Sequence, residues 1–212
     1  MKNAPLQPVS LLLLMFDEVE LLDFAGPYEV FTTANRMHRR MAAEQGLADP
    51  DPLFKLHTAS PTGGPVCARA GLQLTPDHAL ALAPPSDWLV VPGGVVDALL
   101  TDSALLSTLA LRGQHAACVA SVCTGALVLA AAGLLRAAPA TTHWEDLADL
   151  ATRHPDLQVL DGPRWVDNGR VVTSAGIAAG IDMCLHLVAR HAGAALAQRT
   201  ARQMNTPWHP EP

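Results

Sequence analysis

The amino-acid sequence predicts an α/β domain with a mostly parallel, doubly wound sheet and helices on both faces. Short, continuously apolar runs alternate along the chain with segments of helical spacing, which is typical of a parallel sheet that helices cover on both sides. Half of the residues are hydrophobic and only 16% are charged, which favours a compact core over disorder. The length of 212 residues suits one domain, so we expect residues 1–212 to form a single unit.

The first half of the chain predicts four strands and two helices. Pro27 is well placed in the first turn of a helix that follows a turn at residues 23–27. The segment 41–52 is rich in Ala, Asp, Gly and Pro and is expected to be a loop. Thr101 or Asp102 can cap the next helix. The strands are expected at residues 9–15, 54–59, 69–75 and 87–91.

The second half of the chain continues the alternation. An apolar run at residues 116–122 leads directly into Cys123 and a helix that stops at Gly133. Further along, the pattern predicts a short strand at 140–142, a helix from about Glu145, a hairpin turn at Asn168-Gly169 and a long helix from about Ala179.

Charge and cysteine usage exclude several classes of function. The net charge is −6 and no basic cluster exists beyond Arg39-Arg40, so we expect no direct nucleic-acid partner. The apolar run at residues 9–16 is too short to span a bilayer and lacks the flanks of a leader peptide, so we expect no membrane association. The four cysteines are scattered without metal-ligand spacing, which predicts reduced thiols, a cytoplasmic location and neither metal nor cofactor.

Cys123 is the strongest candidate for chemistry. It lies between a predicted strand end and a helix start, where unpaired N–H groups and the helix dipole should lower the pKa of its thiol. The same tight elbow presents nucleophiles at the carboxyl edge of parallel sheets. For Cys67, Cys118 and Cys184 we favour the alternative of a buried, unreactive side chain.

Asp23 is the candidate partner of this thiol, because loops after neighbouring parallel strands meet at one edge of the sheet. Leu22 and Phe24 flank it, so the carboxyl is expected to enter an apolar pocket, stay protonated and donate a proton. A capping role for the helix after Gly26-Pro27 is an equally good interpretation.

Backbone amides supply the remaining candidates. Those of Gly93 and Gly94, with that of Thr124, are placed to hold an anion that develops on a substrate, although glycine pairs also make ordinary turns. His143 follows a short strand and either lines the crevice or makes a structural hydrogen bond.

Four segments, residues 16–27, 91–94, 121–125 and 140–144, closely resemble the ThiJ/PfpI family, which is related to the class I glutamine amidotransferases. This resemblance implies a flavodoxin-like sandwich with the cysteine on a nucleophile elbow. It also implies a homodimer with the active crevice near the interface.

Two branches of the family are similar here, the isonitrile hydratases and the ligand domains of AraC-type transcription regulators. The hydratases imply Cys123 as nucleophile, Asp23 as proton donor and Thr124 as an essential assisting residue. Residues 173–182 are closer to the regulators, and Gly176 and Ile177 within them are expected to line the ligand pocket.

Three functions follow from the residues and the resemblance together. The first is a cysteine-dependent hydratase of a small substrate such as an isonitrile. The second is a small-molecule or oxidant sensor without turnover. The third, protease or deglycase activity, ranks last because Thr124 rather than a histidine follows the cysteine.

Overall fold

The computed structural model describes residues 6–211. The strands are β1 (Val9–Leu14), β2 (Phe54–Ser60), β3 (Val66–Cys67), β4 (Gln73–Leu74), β5 (His78–Ala79), β6 (Trp88–Val91), β7 (Cys118–Val122), β8 (Pro139–Ala140), β9 (Gln158–Val159), β10 (Trp165–Asp167) and β11 (Val171–Ser174). The α-helices are α1 (Leu21–Glu44), α2 (Asp97–Thr101), α3 (Ser103–His115), α4 (Gly125–Ala131), α5 (Leu147–Arg153), α6 (Ala179–Ala192) and α7 (Ala194–Gln203). Short 3₁₀ turns lie at Arg69–Gly71, Leu80–Leu82 and Trp144–Asp146.

The central sheet has seven strands in the order β10-β11-β7-β6-β1-β2-β5. All neighbouring pairs are parallel except β10 and β11, which form an antiparallel hairpin. Without the short edge strand β5, the parallel strands follow one another in the order 2-1-3-4-5, which is the flavodoxin-like arrangement. The predicted fold class is confirmed.

Helices cover the sheet on both faces. Helices α1, α6 and α7 pack together on one face, and α2, α3 and α4 pack together on the other. The strands between them are apolar on both sides; β1 is VSLLLL, with Leu11, Leu12 and Leu14 fully buried. No helix within residues 6–211 combines the length and the apolar character that crossing a bilayer would require.

Several predicted elements are found at the expected places. Asp102, rather than Thr101, caps α3 and accepts hydrogen bonds from the N–H groups of Ala104 and Leu105. The hairpin turn at Asn168-Gly169 joins β10 and β11. The helix after Cys123 ends before Gly133, which has a φ of +70°.

Three predictions about local structure are wrong. Residues 23–27 are not a turn, because α1 begins at Leu21 and runs through Pro27. Helix α1 also continues to Glu44, so the loop after it is shorter than residues 41–52. Residues 69–75 are mainly a 3₁₀ turn followed by the two-residue strand β4, since Ala70 and Gly71 both have positive φ angles that break a strand.

Candidate active site

The candidate site lies at the carboxyl edge of the sheet. The segments that follow β1, β6, β7 and β11 meet there, and they carry Asp23 (in the first turn of α1), Gly93, Cys123 and Gly176. Strands β1 and β6 are neighbours in the sheet but not in the chain, so the site includes the position where the strand order reverses. Open α/β sheets bind ligands at such positions.

Cys123 occupies a tight elbow between β7 and α4. Its φ is +54°, a left-handed conformation that a residue with a side chain rarely adopts. Two contacts hold the elbow: its N–H donates to the carbonyl oxygen of Ser174 at 3.1 Å, and the Thr142 hydroxyl donates to its carbonyl oxygen at 2.8 Å. The predicted elbow is therefore present, and only 7% of the Cys123 surface is exposed.

Asp23 lies in the first turn of α1 and is completely buried, with 0% exposure. Its Oδ2 accepts a hydrogen bond from the Gly93 N–H at 3.2 Å. Its Oδ1 is buried and, within residues 6–211, has no hydrogen-bond partner of ordinary geometry. The capping role is not observed, since the first turn of α1 has no side-chain cap.

Gly93 is the point at which three side chains converge. A Cβ atom on this residue would lie 2.7 Å from Asp23 Oδ2, 2.7 Å from Thr124 Oγ1 and 2.8 Å from Cys123 Cβ. Real Cβ atoms do not approach other heavy atoms so closely, so only glycine fits there. The absence of a side chain at Gly93 lets Asp23, Cys123 and Thr124 share one small volume.

The amides of the glycine pair are already engaged. The Gly94 N–H donates to Thr124 Oγ1 at 2.9 Å, and the Thr124 hydroxyl donates back to the Gly94 carbonyl oxygen at 2.9 Å. Together with the bond from Gly93 to Asp23, these contacts position two side chains. Neither glycine amide is free for a substrate anion in this state, contrary to the expectation from the sequence.

The protonation of the site follows from its burial. Burial raises the pKa of the Asp23 carboxyl to about 7, although the Cys123 thiol and the Gly93 N–H act in the opposite direction. Burial also raises the pKa of the Cys123 thiol to about 12, and the Asp23 and Asp146 carboxylates contribute to that rise. The Thr124 N–H favours the thiolate but does not outweigh them.

The expected lowering of the Cys123 pKa is therefore wrong, because a buried sulfur beside carboxylates resists a negative charge. The raised pKa of Asp23 agrees with the expectation that burial favours the protonated carboxyl group. At rest the pair contains a neutral thiol and a carboxyl group that titrates around pH 7.

Cys123 and Thr124 open onto a cavity of about 240 Å³, which also contacts Gly94, His143 and Ile177. His143 Nδ1 lies 3.4 Å from an oxygen of Asp146 and 3.7 Å from one of Glu145. A Cβ on Gly176 would overlap the His143 ring, so the lack of a side chain at Gly176 makes room for this histidine. Of the predicted site residues, Gly94, Cys123, Thr124, His143 and Ile177 line this cavity, whereas Asp23, Gly93 and Gly176 do not.

Sequence reasoning missed three charged residues that line this cavity: Arg69, Glu145 and Asp146. Arg69 forms an ion pair with Glu20 at 3.4 Å, and Asp146 faces Cys123 closely enough to affect its pKa. The position of Arg69 depends on how the segment at residues 66–74 folds back onto the loop before α1, through bonds such as Glu18 N–H to the Cys67 carbonyl oxygen. No local pattern in the sequence reveals that contact.

The remaining cavities and polar groups do not add a metal site. In the part of the chain from residue 6 to 211, no three His, Cys, Asp or Glu side chains are grouped so that they could hold a metal ion. A larger cavity of about 640 Å³, lined by Asp87 and Arg112, lies at the opposite, amino edge of the sheet. It is separate from the chemistry around Cys123.

The fold and the site together define a class: α/β proteins with a cysteine on a strand-to-helix elbow beside a buried carboxyl group. The sequence model of the DJ-1/PfpI family matches residues 9–190. The chain belongs to this family.

Relatives lie in both branches that the sequence suggested. The chain is 35% identical over 192 residues to an isonitrile hydratase of Pseudomonas putida, covering 90% of this chain and 75% of that enzyme. It is 32% identical over 196 residues to the HTH-type transcriptional regulator CdhR of Pseudomonas aeruginosa, covering 90% of this chain and 53% of the regulator. The chain thus spans about half the length of that regulator.

A solved structure of a ThiJ/PfpI family protein from Pseudomonas syringae superposes with a TM-score of 0.80 at 27% sequence identity. The match covers 100% of this chain and 80% of that protein. It agrees with the flavodoxin-like sheet order described above.

Proposed function

We propose that this protein is a cysteine-dependent hydratase that adds water to an isonitrile and releases an N-substituted formamide. The observation that carries the proposal is the convergence of Asp23, Cys123 and Thr124 on the bare Cα of Gly93. A nucleophile, a group that titrates near pH 7 and a hydroxyl share one small volume there. The identity of 35% to a hydratase supports the choice of reaction.

The first step adds the thiol across the isonitrile carbon. That carbon carries a lone pair and accepts a proton from the Asp23 carboxyl group, while the Cys123 sulfur forms a bond to the same carbon. The thiol proton returns to Asp23, and the product is a thioimidate, R–N=CH–S–Cys123. Because the resting thiol is neutral, the pair supplies both the proton and the sulfur without an external base.

The second step hydrolyses the thioimidate. Water adds its oxygen to the same carbon, the C–S bond breaks, one water proton goes to nitrogen and the other restores the thiol. The formamide R–NH–CHO leaves. His143 lies in the same cavity with its Nδ1 facing Asp146, where it can orient this water. No metal or organic cofactor enters the balance.

The hydroxyl of Thr124 serves to position groups in this scheme. Its reciprocal hydrogen bonds with Gly94 fix the loop after β6 against the elbow, and so keep the Gly93 N–H aimed at Asp23. The Thr124 N–H faces the sulfur and stabilises negative charge that develops on it.

The test is turnover of cyclohexyl isonitrile, followed by detection of the formamide. We expect Cys123→Ala and Asp23→Asn each to reduce turnover by at least about 1000-fold, since nucleophile and proton donor act as one unit. Thr124→Val should reduce it strongly, and Cys67→Ala, which removes a thiol outside the cavity, should not. Mass spectrometry should detect the thioimidate on the peptide that contains Cys123.

Formamide production that survives Cys123→Ala would refute the mechanism. Unaltered turnover in Asp23→Asn would remove the proton donor from the scheme. The variants must retain the thermal unfolding midpoint of the parent for either result to count.

A second candidate function is a small-molecule sensor, which the identity of 32% to a transcription regulator favours. The raised pKa of Cys123 argues for reversible binding in the cavity rather than for oxidant sensing, because oxidation proceeds through the thiolate. Tight binding of a small molecule that survives Cys123→Ala, together with no formamide, would select this function.

A further inference from the structure

The candidate site continues into a second cavity. Beside the cavity of about 240 Å³ at Cys123 lies another of about 390 Å³. His143 and Ile177 line both, so the two cavities adjoin along these side chains. Sites for small organic ligands have volumes of about 300–1,000 Å³, a range that the Cys123 cavity alone does not reach.

Ile177 marks the junction between the cavities. Its φ is +35°, and a β-branched residue with positive φ is a genuine outlier that costs roughly 1–3 kcal/mol. Its side chain gains little from burial, because 38% of the residue is exposed. Backbone strain of this kind is concentrated at ligand sites, so the space beside Ile177 is a candidate ligand site.

The second cavity has apolar walls and one anchored positive charge. Trp144, 70% exposed, lines it together with Leu147 and Pro163. Arg164 also lines it, and its Nε donates to Asp182 at 2.6 Å. The Asp182 side chain is only 5% exposed, so the guanidinium group is held by a buried partner.

Arg164 retains hydrogen-bonding capacity for a ligand. The Nε and Nη2 atoms of Arg164 both contact the Asp182 carboxylate. Its other terminal nitrogen, Nη1, has no hydrogen-bond partner in the described part of the chain. A guanidinium group with a fixed orientation and unused donors is suited to a carboxylate. Asp161, the one Asp or Glu residue that lines this cavity, is exposed.

The first cavity, at Cys123, is predominantly acidic, in contrast to the arginine site of the second cavity. Glu20, Glu145 and Asp146 line it, with Arg69 as the one arginine or lysine, and that arginine is paired with Glu20. A carboxylate close to the reacting carbon would therefore be repelled, whereas a carboxylate in the second cavity would lie beside Arg164.

We infer that the substrate is an elongated carboxylate, with its reactive carbon at Cys123, its apolar body past Ile177 and its carboxylate on Arg164. The isonitrile as the reactive group rests on the proposed function; the binding of the body and the carboxylate does not. The second cavity thus selects the substrate by its length and by the charge at its far end.

The experiment compares 5-isocyanopentanoate with pentyl isonitrile, its neutral analogue, and with isocyanoacetate, which is too short to place its carboxylate beyond Ile177. In the parent protein, kcat/KM should be at least about 10-fold higher for 5-isocyanopentanoate than for pentyl isonitrile. Arg164→Gln should remove this preference, and isocyanoacetate should react more slowly than ethyl isonitrile. The matched control is Arg153→Gln, which removes an arginine paired with Asp149 on the surface of α5.

Two additions keep the outcome interpretable. Because Arg164→Gln leaves a buried carboxylate without its partner, the double variant Arg164→Gln/Asp182→Asn is measured beside it and should show the same loss of preference. Binding of 5-isocyanopentanoate and pentyl isonitrile to Cys123→Ala is measured by calorimetry, with and without Arg164→Gln.

The inference is supported if Cys123→Ala binds 5-isocyanopentanoate more tightly than pentyl isonitrile and if Arg164→Gln removes this difference. That result holds even if no isonitrile is turned over and the hydratase proposal fails. Equal binding of the charged and neutral compounds, or a preference that both Arg164 variants retain, overturns it.

Discussion

The coupling between Asp23 and Cys123 makes a definite prediction about thiol alkylation. Replacement of Asp23 by Asn removes a carboxylate that raises the pKa of the Cys123 thiol, while the burial of the sulfur remains. Iodoacetamide reacts with the thiolate, so the alkylation rate follows the ionised fraction of Cys123. The variant should therefore be alkylated faster than the parent above pH 7.

The magnitude follows from the two pKa values. With a pKa of about 12, roughly one Cys123 thiol in ten thousand is ionised at pH 8, against roughly one in ten at the ordinary value of 9.0. Burial is the largest cause of this difference and the Asp23 charge is the next. Removal of the charge alone should accelerate alkylation by about tenfold, which corresponds to about one pKa unit.

The pH profile separates this effect from a general loosening of the site. In the parent, the rate should rise tenfold per pH unit below pH 7 and level off just above it, because ionisation of Asp23 opposes ionisation of the thiol. At higher pH the rise should resume. Asp23→Asn should show a continuous tenfold rise per unit with no plateau.

The assay is peptide mass spectrometry after timed exposure to iodoacetamide between pH 6 and 9. Cys184, with 0% exposure, and the partly exposed Cys67 act as internal references in each sample. Asp97→Asn, which removes an exposed carboxylate from α2, is the matched control and should keep the plateau. A parent profile without a plateau, or a variant alkylated at the rate of the parent, would show that the two groups do not share a proton equilibrium.

Three further predictions concern stability and assembly. Gly94→Ala should lower the free energy of unfolding in urea by about 3 kcal/mol or more, because Gly94 has a φ of +144° and a Cβ there would overlap the backbone before α1. An unchanged free energy of unfolding would contradict this close packing. His191 packs against the rings of Phe54 and Trp88, and burial lowers its pKa below the usual 6.5. Its neutral form therefore contributes stability above about pH 6.5 that is lost as the pH falls. In urea titrations at pH 5 and 7, His191→Phe should lose less stability at the lower pH than the parent does, whereas a variant of the exposed His209 should behave like the parent. Equal acid sensitivity of His191→Phe and the parent would refute the burial argument. Light scattering should report a homodimer, and a monomer of 22.3 kDa at all concentrations would refute it.

The fold was largely predictable from the sequence because its signals are local. The apolar runs that become β1, β6 and β7 are continuous and end in recognisable breaks, such as the glycine pair after Val91. The main error arose where contacts between distant segments override a local signal. Gly26-Pro27 predicted a turn, yet α1 passes through it, since contacts with α6 and α7 stabilise the helix beyond what its local sequence provides.

The residues of the site were predictable, but their ionisation was not. Cys123 could be chosen because it directly follows a strand, and Asp23 because the segment after the first strand meets the same sheet edge and apolar residues flank this acid. The pKa of Cys123 depends first on the burial of its sulfur, then on the Asp23 charge and, less, on that of Asp146. The sequence favours a thiolate at a helix start, whereas burial in the assembled structure, helped by these carboxylates, reverses that preference.

The bare Cα of Gly93 has a consequence for the unfolding of the protein. The two hydrogen bonds from this glycine pair join segments 70 and 30 residues apart in the chain, so any movement of β6 against β1 or β7 separates the thiol from the carboxyl group. An opened sheet edge would return the Cys123 pKa toward 9.0 from about 12 and raise its reactivity about a thousandfold at pH 8. Openings present in roughly one molecule in a thousand would then match the alkylation of the closed form. The alkylation rate of Cys123 thus reports local openings of the sheet edge that are too rare for spectroscopy to detect.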